Sequence, residues 1–176
     1  LQRIWGDYYA LTGDGKSARK AYAEAEKTVS TSRSQIEQTA WRGAHSRSTE
    51  QFLKTSDFDR AIAEIRAWEQ EFPAEKVDGQ LTLLYARYWA GRELYPQAIS
   101  LSEQLMTVNA DSPYIDQMLM SAAECEVKRG KVDRAIATLQ DLVKKYPGSP
   151  LGSDVKEVIK KLQSGEVEEP KKPPRR

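Results

Sequence analysis

Two side chains in this sequence could carry covalent or acid–base chemistry, and each residue type occurs once: His45 and Cys125. A Ser/His/Asp or Cys/His mechanism needs an imidazole beside a nucleophile, with an acid to orient it. His45 instead lies on a helical segment, and Cys125 sits mid-helix among Ala122, Ala123 and Glu124, the setting of a buried, inert thiol. A single cysteine rules out an internal disulfide and any zinc cage built on paired cysteines. The carboxylate pairs Asp57/Asp59 and Glu168/Glu169 fall at a helix cap and in a charged tail, not where an acid and a base would converge. Gly13-Asp14-Gly15 reads as a turn rather than a phosphate-binding loop. These residues predict no catalytic, metal or cofactor site and no enzyme.

The elements that would position such groups point to a different kind of protein. Gly-Lys-Ser-Ala at 15–18, Phe-Asp-Arg-Ala at 58–61, Tyr-Pro-Gln-Ala at 95–98 and Val-Asp-Arg-Ala at 132–135 each open an amphipathic segment. The alanines that close them, Ala18, Ala61, Ala98 and Ala135, recur at a near-constant interval of about 40 residues, as in a helical repeat array whose units stack on their neighbours. Four helical hairpins follow. The first runs through Trp5–Leu11 and Lys16–Val29, and the second through Ile36–Lys54 and Phe58–Phe72, with Asp57 as N-cap and Pro73 as stop. The third has Leu81–Gly91 and a helix from Pro96 to near Val108. The fourth has Ile115–Arg129, stopped by Gly130, and a helix from Val132 to Tyr146-Pro147-Gly148. Ser149-Pro150 reads as N-cap and first position of a last helix reaching Leu162, and Asp111-Ser112-Pro113 restarts the chain in the same way. The longer first interval falls near Thr28–Gln35, a Ser/Thr-rich connection.

Residues 1–163 therefore form one helical repeat domain, and 164–176, with Gly165, Pro170, Pro173 and Pro174 among alternating charges, form a disordered tail. The chain of 176 residues carries 27 Lys plus Arg against 26 Asp plus Glu. This balance removes the bulk attraction on which non-specific nucleic-acid binding relies, and repeat-by-repeat RNA reading would need a basic, repeated code that is absent. No stretch approaches the ~20 consecutive apolar residues of a membrane span, so no insertion by this segment is expected. Leu1 is not a native start and points to a removed leader, lipid anchor or upstream repeats.

The repeat resembles the tetratricopeptide repeat in all four units. The matching positions are Gly6, Tyr9, Gly13, Ala18, Tyr22 and Ala25; Phe52, Phe58, Ala61, Ile65 and Pro73; Ala86, Tyr95, Ala98 and Leu105; and Leu119, Ala123, Gly130, Ala135, Leu139 and Pro147. Trp68 stands where the family prefers alanine. Small residues at Gly6, Ala86 and Ala123 would let paired helices approach closely. The resemblance implies an all-α right-handed superhelical solenoid of four hairpins with a C-terminal capping helix, and it places His45 at a packing position. The period of 37 between later repeats, with Tyr146-Pro147-Gly148-Ser149-Pro150, is similar to a bacterial subclass found in outer-membrane assembly lipoproteins and in the periplasmic partner of the Tol-Pal system. That similarity implies a periplasmic or envelope-associated scaffold.

The family lines its concave surface with the first helix of each pair, which implies Arg3 and Asp7, then Ser46, Arg47, Glu50 and Lys54, then Gln80, Leu83, Leu84 and Arg87, and finally Gln117, Met120, Ser121, Glu124 and Lys128. Within this set the partner-binding groove is expected at Arg47, Glu50, Lys54, Leu83, Leu84, Arg87, Met120, Glu124 and Lys128. Leu83, Leu84 and Met120 would form an apolar centre with Arg47 and Arg87 on its flanks. No asparagine occupies the matching positions and Leu84 replaces a cation, so the carboxylate clamp of chaperone-binding members is not expected. Of the aromatics, which should mostly fill gaps between helices, Tyr85, Tyr88 and Trp89 are the ones that could reach a binding surface. The implied activity is a non-enzymatic scaffold that holds a peptide or helix of another protein. The alternative is a self-assembly module that associates through its exposed N-terminal hairpin.

Overall fold

A computed structural model describes residues 1–29 and 35–165, and the middle of the Ser/Thr-rich connection and most of the expected tail lie outside them. Among the described residues every regular element is an α-helix: α1 Gln2–Leu11, α2 Gly15–Val29, α3 Gln35–Lys54, α4 Phe58–Glu71, α5 Glu75–Asp78, α6 Gln80–Gly91, α7 Tyr95–Val108, α8 Ile115–Lys128, α9 Val132–Lys145 and α10 Gly152–Ser164. The chain is an all-α helical repeat. The four signature alanines are all buried, none more than 2% exposed. They sit in the first turn of α2, α4, α7 and α9, where only a methyl group fits against the preceding helix.

Local chemistry starts and stops these helices as the residue types require. The Asp14 carboxylate accepts from the Ser17 N–H at 3.0 Å and opens α2, and Asp57 accepts from the Arg60 N–H at 3.2 Å and opens α4. Each carboxylate satisfies one of the orphan donors of a first helical turn. The expected start of the last helix is displaced. α10 begins at Gly152, and Ser149 is not its N-cap. The Ser149 hydroxyl accepts from the Leu151 N–H at 3.1 Å and donates to the Asp116 carboxylate at 2.8 Å. Ser112 acts in the same way one repeat earlier, accepting from the Tyr114 N–H at 3.2 Å and donating to the Asp78 carbonyl at 2.6 Å. Both Ser-Pro linkers thus bridge back to the previous repeat. The tight turn at Gly79, with φ of 108°, permits this, since a Cβ there would lie 2.3 Å from the Ser112 hydroxyl.

From α3 onward the hairpins stack in chain order, α3–α4 against α6 and α6–α7 against α8–α9, with α10 closing on α9. One core binds α3, α4 and α6 around Trp68, Ile65, Phe72, Leu81, Leu84 and Tyr88. A larger one joins five helices from Leu83 in α6 to Leu162 in α10. The first hairpin departs from this order. It packs chiefly on α5 and α7, around a small cluster of Ala10, Ala18, Tyr22 and Val77. The unforeseen one-turn helix α5 is what receives it. Within the hairpin, Gly6 lets α1 approach α2 closely enough that a Cβ would meet the Tyr22 ring at 2.3 Å.

Candidate functional site

Three first helices, α3, α6 and α8, present a polar seam on the side away from their cores. Gln80 of α6 donates to the Ser46 hydroxyl of α3 at 3.2 Å. Arg87, about two turns further along the same face of α6, reaches both neighbours, lying 3.4 Å from the Glu50 carboxylate of α3 and 3.1 Å from the Gln117 side-chain oxygen of α8. One guanidinium thus ties three repeats together, and its fork supplies donors that a single carboxylate does not exhaust. At the α8 end the seam opens into a cavity of about 340 Å³ lined by Arg87, Asp116, Gln117, Met120, Ser121, Glu124, Pro150 and Leu151. Its walls combine a cation, two carboxylates, an amide and a hydroxyl with the thioether of Met120 and the side chain of Leu151. Such a lining can hold an apolar anchor while bonding the polar groups beside it.

The structure brings together Arg87, Met120 and Glu124 of the expected groove, along with Gln117 and Ser121, and Glu50 adjoins them through Arg87. It corrects the expected apolar centre. Leu83 and Leu84 are buried, 3% and 2% exposed, in the two separate cores on either side of α6. α6 is enclosed by α3, α4, α5, α7 and α8, so a leucine at almost any point of its circumference is covered. Arg47 is exposed on α3, with its guanidinium folded back over Gly43. Lys54 is exposed at the end of that helix, and the Lys128 ammonium lies 6.0 Å above the Tyr95 ring, drawn toward α7. Arg3 and Asp7 do not extend the seam, because the first hairpin lies elsewhere. Asp7 accepts from the Tyr22 hydroxyl at 2.7 Å and pairs with Lys76 at 2.8 Å. Asp116, Pro150 and Leu151 were missed because they belong to linkers and helix starts, which a first-helix pattern does not reach.

The aromatic and titratable residues singled out in the sequence occupy packing sites. Tyr88 is buried, while Tyr85 donates its hydroxyl to Glu69 and lines, with Trp89, a second cavity of about 370 Å³ beneath the first hairpin. Burial and the Glu69 carboxylate push the Tyr85 hydroxyl well above the ordinary tyrosine range. The His45 ring holds its Nδ1 2.7 Å from the Glu64 carboxylate, stacks on Trp68 and meets the edge of Trp41, so its surroundings are a carboxylate and two indoles. Cys125 is buried in α8, and burial pushes its thiol up to about 11. Among the described residues no helix is long and apolar enough to cross a membrane.

Residues 117–149 match the family model of the tetratricopeptide repeat. That stretch runs from the first turn of α8 through α9 to Ser149, so it contains nearly all of one hairpin and the serine that ties the next linker back to α8. Tetratricopeptide repeats generally mediate protein–protein interactions, and the matched unit contributes Gln117, Met120, Ser121 and Glu124 to the cavity. No curated protein matches the chain.

Proposed function

We propose that this protein is a non-enzymatic scaffold that binds a peptide or helical segment of another protein along the seam of α3, α6 and α8. The anchor of that segment enters the cavity between α8 and the Ser149–Leu151 linker. The observation that carries the reading is the position of Arg87, which bridges three repeats and forms the wall of a cavity with an apolar floor at Met120 and Leu151. An apolar side chain seated there, followed by a carboxylate or backbone carbonyl facing Arg87, matches the lining in both shape and charge. Glu50 and Glu124 on either side favour basic residues flanking that anchor. The likeness of the later linkers to the envelope subclass supports a partner in the bacterial cell envelope.

The test is site-specific photocross-linking in cells, with the reactive residue at Met120 and, as control, at the exposed Ala137 of α9. The expected result is a partner adduct from position 120 that disappears in a folded Arg87→Glu variant. Equal adducts from both positions, or an adduct indifferent to Arg87→Glu, would remove the seam as the binding site.

A further inference from the structure

The cavity beneath the first hairpin, about 370 Å³, has the size of a small-molecule site and shares no lining residue with the cavity at α8. Its apolar wall comes mainly from α7, with Leu101, Leu105 and Val108, helped by Val77 of α5 and Trp89 of α6. Its polar wall is a chain of side chains from five helices. The Tyr22 hydroxyl of α2 donates to Asp7 of α1 at 2.7 Å. The Lys76 ammonium of α5 lies 2.8 Å from Asp7 and 2.5 Å from Glu69 of α4, and the Tyr85 hydroxyl of α6 donates to Glu69. A cavity that stays dry and empty is apolar throughout, whereas this one ends in five polar side chains. Water would satisfy that end but gain nothing from the apolar wall. An amphipathic molecule suits both.

The bonds already made define the head of such a ligand. Both phenol protons are spent on carboxylates, and burial beside those carboxylates raises both hydroxyls so that they keep their protons. The two bonds to Asp7 fall on one oxygen, Oδ1, which leaves Oδ2 open as an acceptor. Each phenol oxygen also keeps its lone pairs, while the only donor left in the cluster is the third proton of Lys76. Open acceptors therefore outnumber open donors, and a complementary head donates a hydrogen bond. It carries no charge. A cation would meet Lys76 and the field of Arg3 and Arg66, and an anion would meet Asp7 and Glu69. The rings of Tyr22, Tyr85 and Trp89 in the lining suit a flat aromatic body. We propose that this cavity binds a small uncharged aromatic molecule with one N–H or O–H donor, of the indole or phenol type. Asp7 and Tyr22 belong to the first hairpin and the other walls to the repeats that follow, so the ligand touches both and fastens one to the other. This site stands or falls independently of the α3–α6–α8 seam.

A methyl NMR titration of the 176-residue chain with indole should shift Leu101, Leu105 and Val108, leave Leu151 unmoved, and give a Kd below about 1 mM. Indene, with the same fused rings and no N–H, should bind at least about fivefold more weakly. Tryptamine, which adds a cation, should also bind more weakly. At ten times its Kd, indole should slow hydrogen exchange in α1–α2 about tenfold and leave α8–α9 unchanged. Leu101→Trp, which fills the cavity, should keep the helical circular dichroism and abolish binding; if that variant unfolds, the methyl shifts of the unsubstituted chain still decide the site. No methyl shift at millimolar indole overturns the proposal. So do shifts centred on Leu151, equal binding of indole and indene, or exchange in α1–α2 that indole leaves unchanged.

Discussion

The first hairpin and the last two differ in what holds them, although both begin their second helix with the same buried alanine. The α6–α10 segment is bound by a continuous apolar core across five helices. Its linkers are fastened by hydrogen bonds that reach back and are mostly neutral: Ser112 to the Asp78 carbonyl, Asn109 to the Val77 carbonyl at 2.9 Å, and Tyr146 to the Ala110 carbonyl at 3.0 Å, with Ser149 on the Asp116 carboxylate as the charged one. The α1–α2 hairpin rests on a four-residue cluster and a ring of charged contacts, namely Asp7 with Lys76, Arg19 with Asp78 at 3.1 Å, and Glu26 accepting the Ala74 N–H at 3.0 Å. Apolar burial makes the C-terminal repeats one cooperative unit. The polar contacts make the N-terminal hairpin a separately docked piece with a lower local stability.

The largest effect should come from breaking the stronger side of this contrast. Leu139 is fully buried at the centre of the five-helix core, so Leu139→Ala should cost about 2–5 kcal/mol, lost transfer energy plus the cavity it leaves. Denaturant titration should show that loss as a single shifted transition, because each repeat supports its neighbour. Separate melting of α8–α9 would mean the repeats are not coupled. Gly6→Ala is the corresponding blow to the weaker side. The added methyl collides with a Tyr22 ring already held by Asp7, and overpacking of this kind costs about 1–3 kcal/mol. Hydrogen exchange should quicken throughout α1–α2 while protection in α8–α9 stays unchanged. A uniform change in both would show that the hairpin is integral to the array.

The repeated Ser-Pro linkers offer a finer comparison. Ser112 is buried, and Ser112→Ala strands the Tyr114 N–H and one bond of the Asp78 carbonyl. Such a loss costs about 1–2 kcal/mol when the groups stay dry. Ser149→Ala removes the acceptor of the Leu151 N–H and a bond to the Asp116 carboxylate at a partly exposed site, where water replaces them and the loss in melting temperature should be smaller. Equal losses would show that both linkers are equally dry.

The contrast also marks what the sequence makes legible. Hairpin boundaries, the turn at Gly13-Asp14-Gly15, the cap at Asp57 and the burial of Ala18, Ala61, Ala98 and Ala135 all follow from local rules, since periodicity and capping are properties of a helix and its own turns. The partner of a helix is not a local property. The alanine of α2 signals a tight helix pair identically whether the hairpin stacks on α3 or, as it does, leans on α5 and α7. For the same reason Leu83 and Leu84 read as groove residues: an outward position on a family template becomes a core position when five helices surround α6. At the candidate site, Gln117, Met120, Ser121 and Glu124 were legible because α8 keeps one side free, and Arg87 because its position on α6 falls between α3 and α8. Asp116 and Leu151 were not, because their place depends on how the linker after Gly148 folds back.

The smallest expected effect tests the docked hairpin through its charges. Burial opposes the charge on Asp7, but hydrogen bonds from Lys76 and Tyr22 outweigh it and hold the carboxyl below the ordinary 3.8. Its contribution is therefore present above about pH 4 and is lost as pH falls through the lower folded value. Glu26 and Glu75 lie on the other side of the balance. Burial raises both above 4.5, against the Ala74 N–H at Glu26 and the Arg42 charge at Glu75, so their contribution is present in acid and is lost as pH rises through the raised values. Protection of α1–α2 from hydrogen exchange, corrected for intrinsic rates, should then peak in mild acid and fall on both sides. Half-exposed, screened groups limit each limb to roughly 1 kcal/mol or less. Asp7→Asn should flatten the acid limb. Glu26→Gln, which keeps the acceptor for the Ala74 N–H, should flatten the neutral limb and leave the hairpin at least as firmly docked at pH 7. If Glu26→Gln instead loosens the hairpin at pH 7, the Glu26 charge itself holds α2 to α5, and the latch is an ion-pair network rather than a set of opposing terms.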